Sequence, residues 1–190
     1  STTIPLLIDH LPPDYRDALA RTAAQHGGDV VLGTFTRDAD GHIFNAAVSL
    51  GRSPTAYYAK QHLVPFGEYV PFRDLLGSAL DVLGAPMSDF TPGREAHVLN
   101  AAGVPVGALI CYEAVFGAEV TELLPEAQLL VNVSNDAWFG SSLGPLQHFQ
   151  MARMRAIETG RDLLRATNTG ITAAINHEGK VLKRAPQFEV

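Results

Sequence analysis

The sequence predicts a layered α/β or α+β domain around a largely buried sheet, and three observations carry that expectation. Stretches with helical spacing alternate with apolar, β-branched runs. Several of those runs are joined by turns too short for anything but a hairpin. One run, AQLLVNVSN at 127–135, is apolar almost throughout, as a strand covered on both faces must be.

The elements follow in order. From Asp14 to His26 the spacing of Tyr15, Ala18, Leu19 and Ala23 predicts one amphipathic helix, preceded by Pro12 and Pro13 and stopped by Gly27 and Gly28. DVVLGTF (29–35), IFNAAVSL (43–50) and TAYYAK (55–60) read as strands, with DADGH and GRSP as turns, so these neighbours should pair antiparallel. The region 61–95, rich in Pro, Gly and Phe, reads as long surface excursions with one short helix near Arg73–Leu83. HVLNAAGVPVGALIC (97–111) predicts two strands about a turn at Ala102 and Gly103, and Ala114–Leu124 a helix. After the strand at 127–135 come the loop DAWFGSSLG, a helix over Pro145–Thr159, and the strands DLLRATN and ITAAIN closed by HEGK. Phe149, Met151, Ala152, Met154, Ala156 and Ile157 make that helix mostly apolar, which predicts core packing.

At 190 residues, 46% hydrophobic and 18% charged, the chain fits one domain spanning 1–190. The 14 basic against 20 acidic residues give a net charge of -6, the wrong sign for a surface that neutralises phosphates, so nucleic acid is excluded as a partner. A single cysteine forms no internal disulfide and leaves the redox compartment open. The longest run without a polar side chain before its end, Ala101–Cys111, falls short of the roughly 18 to 20 residues that cross a bilayer. The opening STTIPLLIDHLPPDYRD lacks a basic leader and does not resemble a signal peptide.

Cys111 is the first candidate for chemistry. An isolated cysteine in an apolar strand ordinarily reads as a small buried hydrophobe. Cys111, however, ends the run VGALI, is followed by Tyr112 and Glu113, and precedes the predicted helix, whose first amides favour thiolate and receive a developing oxyanion. Lys60 closes an apolar strand and opens the longest loop region; it reads either as a solvated strand-end lysine or as the cation that serves Cys111. Glu68, among Pro, Phe, Gly and Tyr, needs a partner if it is buried. GSSLG (140–144) matches a serine-nucleophile pattern, but DAWF separates it from the preceding strand, which argues against Ser142. The seven histidines show no metal-ligand spacing, so no metal is predicted.

Taken together, YYAKQHLVPFGEYVP, ICYEAVFG, NVSNDAWFG and QHFQMARMRAIE resemble, in this order, the carbon-nitrogen hydrolase (nitrilase) superfamily and its apolipoprotein N-acyltransferase branch, over about Ile4 to Phe188. The resemblance implies an αββα four-layer sandwich. It also implies a Glu, Lys and Cys triad without a cofactor, in which Lys60 holds the oxyanion and Cys111 becomes the acyl carrier. Glu68 matches a second family glutamate near the lysine. Tyr112 and Glu113 match a pair beside the nucleophile; Glu68 and Glu113 are implied as catalytic together with Cys111 and Lys60, and His62, Tyr112 and Trp138 as substrate-contacting residues.

The reaction so implied takes an acyl chain from a phospholipid and gives it to the N-terminal amine of a diacylglyceryl-modified lipoprotein. It is set at a bacterial inner membrane, with the catalytic domain facing the periplasm and membrane segments lying outside this chain. A soluble amidase or nitrilase, and a non-catalytic fragment or variant, are the competing readings. The last is kept open by one departure: the family's base glutamate stands directly before a short x-x-I-P element, and in STTIP that place is taken by Ser1. The fold is therefore expected to be incomplete at its N-terminus and the chain, as it stands, a poor catalyst.

Overall fold

The computed structural model describes residues 3–71, 90–95 and 97–187. The helix expected near Arg73–Leu83 and the Ser1 position both lie outside the described residues. Helix α1 (Pro13–Gln25) begins on a proline, which the first turn tolerates because its N–H would have no partner there anyway. Strands β1 (Asp29–Arg37), β2 (Ile43–Gly51) and β3 (Ala56–Ala59) follow as an antiparallel three-stranded sheet in the order β1-β2-β3, as their short turns require.

Strands β4 (Leu99–Ala101) and β5 (Val104–Ile110) form the expected hairpin about Ala102 and Gly103, both at positive φ. Then come β6 (Leu129–Ser134), β7 (Asp162–Thr167), β8 (Ala173–Ile175) and β9 (Val181–Arg184), completing a six-stranded sheet in chain order. Within it β5, β6 and β7 are parallel, with Ile110 opposite Val133 and Ser134 opposite Thr167. Their C-terminal ends therefore open onto one edge of the sheet, the usual place for a site in a parallel sheet.

Burial orders the layers. Leu32, Val48 and Leu50 pack against Leu19 and Ala20 of α1. On the other side of the small sheet, Ala47 and Tyr58 meet Val106, Ala108, Ile110 and Val133 of the large one. The far face of the large sheet, through Leu109, Leu130 and Leu163, buries Val120 of α2 (Gly117–Glu122) and Phe149, Ala152 and Ala156 of α3 (Gly144–Thr159). The sequence of layers is helix, sheet, sheet, helix, the predicted αββα order. Strand β2 is buried on both faces because it stands between two layers.

Two expectations are corrected. The segment after β5 is not one helix over Ala114–Leu124: a 3-10 turn covers Cys111–Val115, Phe116 is extended, and α2 is only six residues long. The apolar face of α3 is also narrower than expected, since Met151, Met154 and Ile157 are exposed while Phe149, Ala152 and Ala156 are core. Among the described residues no helix is long and apolar enough to cross a membrane.

Candidate active site

Strand β5 ends in a fully buried Ile110, and the chain then turns so sharply that Cys111 takes φ 54, a left-handed conformation uncommon for a residue with a side chain. Strain of this kind persists only where the surroundings impose it. The five-residue turn begins at Cys111 itself, so the expected support from the dipole of a longer helix is replaced by specific contacts.

Lys60 follows β3 and is not a solvated lysine. Its side chain is 1% exposed and its ammonium donates to Glu68 Oε2 at 2.6 Å, the Glu68 side chain being 13% exposed. Glu68 Oε2 also accepts the Val64 amide at 2.8 Å, and Oε1 accepts from Asn45 Nδ2 at 2.6 Å. The backbone of Lys60 is held as well, its N–H donating to the Asn45 carbonyl and its carbonyl accepting from Gly93. Glu68 thus has the partner that its apolar neighbours demanded, and the loop 61–68 folds back on the strand it leaves.

Glu113 ties the two candidate residues' flanks together. Its Oε1 accepts from Tyr58 Oη at 3.0 Å, Gln61 N at 2.7 Å and His62 N at 3.3 Å, while Oε2 accepts from Ile110 N at 2.7 Å. The residue after Lys60 and the residue before Cys111 therefore hang on one buried carboxyl group. Burial pushes the Glu113 carboxyl above its ordinary range, opposed by the Ile110, Gln61 and His62 amides and the Lys60 charge. Burial and the Glu113 charge push the Tyr58 hydroxyl well up, so it stays a donor. Both Glu113 oxygens are engaged, which makes the carboxyl group a tie between the two strand ends.

The implied substrate-contacting residues divide. His62 stacks on Phe116 with ring centroids 3.7 Å apart, bonds Glu119 through Nδ1 at 2.8 Å, and lies 6.1 Å from the Tyr112 ring. Gln61, His62, Leu63, Tyr69, Phe90 and Pro92 line a cavity of about 350 Å³; Cys111 is not part of that wall. Trp138 is 81% exposed on the loop after β6, next in sequence to the exposed Phe139. Ser142 is exposed and accepts a hydrogen bond from the Gly144 amide, so it is a turn residue without the setting of a nucleophile.

A buried polar group that the sequence did not reveal lies behind Cys111. Asp136 Oδ1 accepts from Ser134 Oγ at 2.8 Å and meets His148 Nδ1 at 3.0 Å, and Oδ2 accepts from Arg165 Nη2 at 2.9 Å. Arg165 also reaches Asn132 Oδ1. His148 Nε2 then donates to the Cys111 carbonyl at 3.1 Å, and Asn132 Nδ2 donates to the Leu109 carbonyl at 3.0 Å and, more weakly, to the Cys111 carbonyl at 3.5 Å. One signal was available: Arg165 alternates with Leu163 on the buried side of an apolar strand, where an unpaired charge is costly.

Burial pushes Asp136 up, but the His148 hydrogen bond, Arg165 and Ser134 outweigh it and hold the carboxyl below its ordinary range. A carboxylate lowered on folding contributes stability that is complete above the unfolded value of about 4 and is lost as pH falls through the lower folded value. The difference in urea midpoint between the parent and Asp136→Asn is therefore expected to be largest near neutral pH and to shrink below about pH 4. A difference that stays constant into acid would show that the Asp136 charge is not what holds Arg165.

Residues 10–190 match the carbon-nitrogen hydrolase family. The chain belongs to that family. This carbon-nitrogen hydrolase domain is similar to the apolipoprotein N-acyltransferase of Nitrosomonas europaea, with 49% identity over 188 residues, 98% of this chain and 38% of the relative. It is 48% identical to that of Methylococcus capsulatus over 190 residues, 99% of this chain and again 38% of the relative. The domain thus spans well under half the length of these relatives.

Among solved structures it resembles a carbon-nitrogen hydrolase from Helicobacter pylori G27, with TM-score 0.68, 16% identity, and 93% of this chain and 64% of that one covered. It also resembles Saccharomyces cerevisiae Nit3, of the nitrilase superfamily, with TM-score 0.67, 16% identity, and 95% and 64% covered. At such identities the likeness is one of fold, and the two sheets of this carbon-nitrogen hydrolase agree with it.

Proposed function

We propose that the domain carries out the acyl-transfer chemistry of an apolipoprotein N-acyltransferase, with Cys111 as the acyl carrier. The observation that carries the reading is the arrangement of Lys60 and Cys111. A desolvated ammonium paired with Glu68 follows one strand, a left-handed cysteine follows another, and Glu113 binds the residue next to each, in a sequence 49% identical to a protein of that name.

In this reading Cys111 Sγ attacks an ester carbonyl of a phospholipid. The carbonyl electron pair moves to oxygen, where Lys60 stabilises it, and on collapse the C–O bond breaks and a lysophospholipid leaves with a proton. The N-terminal amine of a lipoprotein then attacks the thioester, a C–N bond forms, the C–S bond breaks and sulfur regains its proton. The thiol proton is first taken by a carboxylate base whose place in the family motif is Ser1 here; serine supplies no carboxylate, and a general base contributes roughly 10²- to 10⁴-fold. The setting is the periplasmic face of a bacterial inner membrane.

The test is intact mass after incubation with phospholipid in detergent micelles. It compares the present chain, a version extended at its N-terminus with glutamate at the Ser1 position, and Cys111→Ala in that version. The extended version is expected to gain one acyl group that hydroxylamine removes, the present chain to gain it far more slowly, and Cys111→Ala to gain none. Turnover of small amides without any adduct from phospholipid would replace this reading by an amidase, and adduct formation in Cys111→Ala would remove the nucleophile.

A further inference from the structure

Asp136 and His148 are almost wholly buried, belong to different elements, and have no part in the acyl-transfer steps above. Asp136 is carried by the loop that leaves β6, and His148 by the second turn of α3. Room for the carboxylate is specific: a Cβ on Gly170 would collide with the Asp136 side chain. The far end of the pair is equally specific. A carbonyl oxygen only accepts, so the contact between His148 Nε2 and the Cys111 carbonyl needs a hydrogen on Nε2, and the contact between Nδ1 and the Asp136 carboxylate, which also only accepts, needs one on Nδ1. The peptide held in this way is the one that follows Sγ, at the residue whose backbone is left-handed.

We propose that His148, oriented by Asp136, is a positioning residue for the nucleophile: its hydrogen bond to the Cys111 carbonyl holds the left-handed backbone that aims the thiol. The inference rests on Cys111 being the nucleophile, but not on the identity of the acyl donor. An extended backbone at Cys111 relieves the left-handed strain, and the peptide then rotates unless its carbonyl is held. Misplacement of a reacting atom by about 1 Å costs on the order of 10²-fold in rate, so one such bond has a measurable effect.

Two electrophiles separate aim from exposure. Iodoacetamide alkylates a thiolate with loss of iodide and develops no charge on its carbonyl. Acrylamide adds differently: the S–C bond forms at the β-carbon, the alkene electron pair moves onto the carbonyl oxygen as an enolate, and the thiol proton ends on the α-carbon. Its rate therefore responds to how the sulfur is set against oxyanion donors, Lys60 among them. The ratio of the acrylamide to the iodoacetamide rate constant reports aim and cancels changes in thiol exposure.

The variants are His148→Asn, whose amide reaches the Nδ1 position and retains the Asp136 contact, and His148→Gln, whose amide reaches the Nε2 position and retains the Cys111 contact. In the full chain, His148→Asn is expected to lower the ratio at least about tenfold and His148→Gln to keep it within about threefold of the parent, whatever their order in urea stability. A ratio unchanged in His148→Asn, or lowered equally in both variants, would overturn the proposal. Failure to take acyl groups from phospholipid leaves this ratio intact and counts only against the acyl donor.

Discussion

Replacing Lys60 by methionine is expected to slow the proposed acylation of Cys111 and to destabilise the domain at the same time. Methionine fills the volume but leaves Glu68, 13% exposed and bonded to Asn45 and Val64, without its cation. Breaking a buried pair from one side costs about 3–5 kcal/mol, and removing one oxyanion donor costs roughly 10²- to 10³-fold in rate. The double variant Lys60→Met, Glu68→Gln separates the two effects. With no carboxylate left unpaired, its urea midpoint should recover most of the loss while its acrylamide addition to Cys111 stays as slow as in the single variant. Recovery of both would make Lys60 a structural cation and return the oxyanion to other donors.

The second large effect is expected at Glu113. Four donors converge on this carboxyl group: the Tyr58 hydroxyl and the amides of Gln61, His62 and Ile110. Glutamine offers one acceptor oxygen and turns its own N–H groups toward at least one of those donors. Each buried donor left without an acceptor costs about 1–3 kcal/mol. Glu113→Gln should therefore lower stability by that order, read as a lower urea midpoint, and speed hydrogen exchange at the Ile110 and Gln61 amides before other strand amides. Glu113→Ala, which strands all four donors, should leave little folded protein. Unchanged exchange at Ile110 and Gln61 in the glutamine variant would show that Glu113 is not the tie between the two strand ends.

Much of this was legible because its signals are local. The spacing of Leu19 and Ala23, the turns DADGH and GRSP, and the apolar run at 127–135 each occupy a few consecutive residues, and α1, the β1-β2-β3 sheet and β6 formed where they pointed. Lys60 and Cys111 stood out because each ends an apolar run, which in a layered fold means the rim of a sheet. The break at Phe116 was not legible, since Ala114–Leu124 has adequate helical spacing. The chain is extended there, and Phe116 stacks with the His62 ring from a distant loop. Met151, Met154 and Ile157 were misjudged because an apolar helix does not reveal how wide a face its neighbours cover.

By itself, the sequence determined the order of most elements, the placement of Lys60 and Cys111 at strand ends, and the motifs that mark a carbon-nitrogen hydrolase. The tertiary structure alone decided what holds them. Glu113 as a tie between Gln61 and Ile110, and the Asp136, His148 and Arg165 group behind the left-handed turn at Cys111, join residues far apart in the chain. The reason is physical. Once β5, β6 and β7 lie parallel, their ends bring buried amides, carbonyls and charges to one edge. There each must find a partner, and only the register says which residue is within reach.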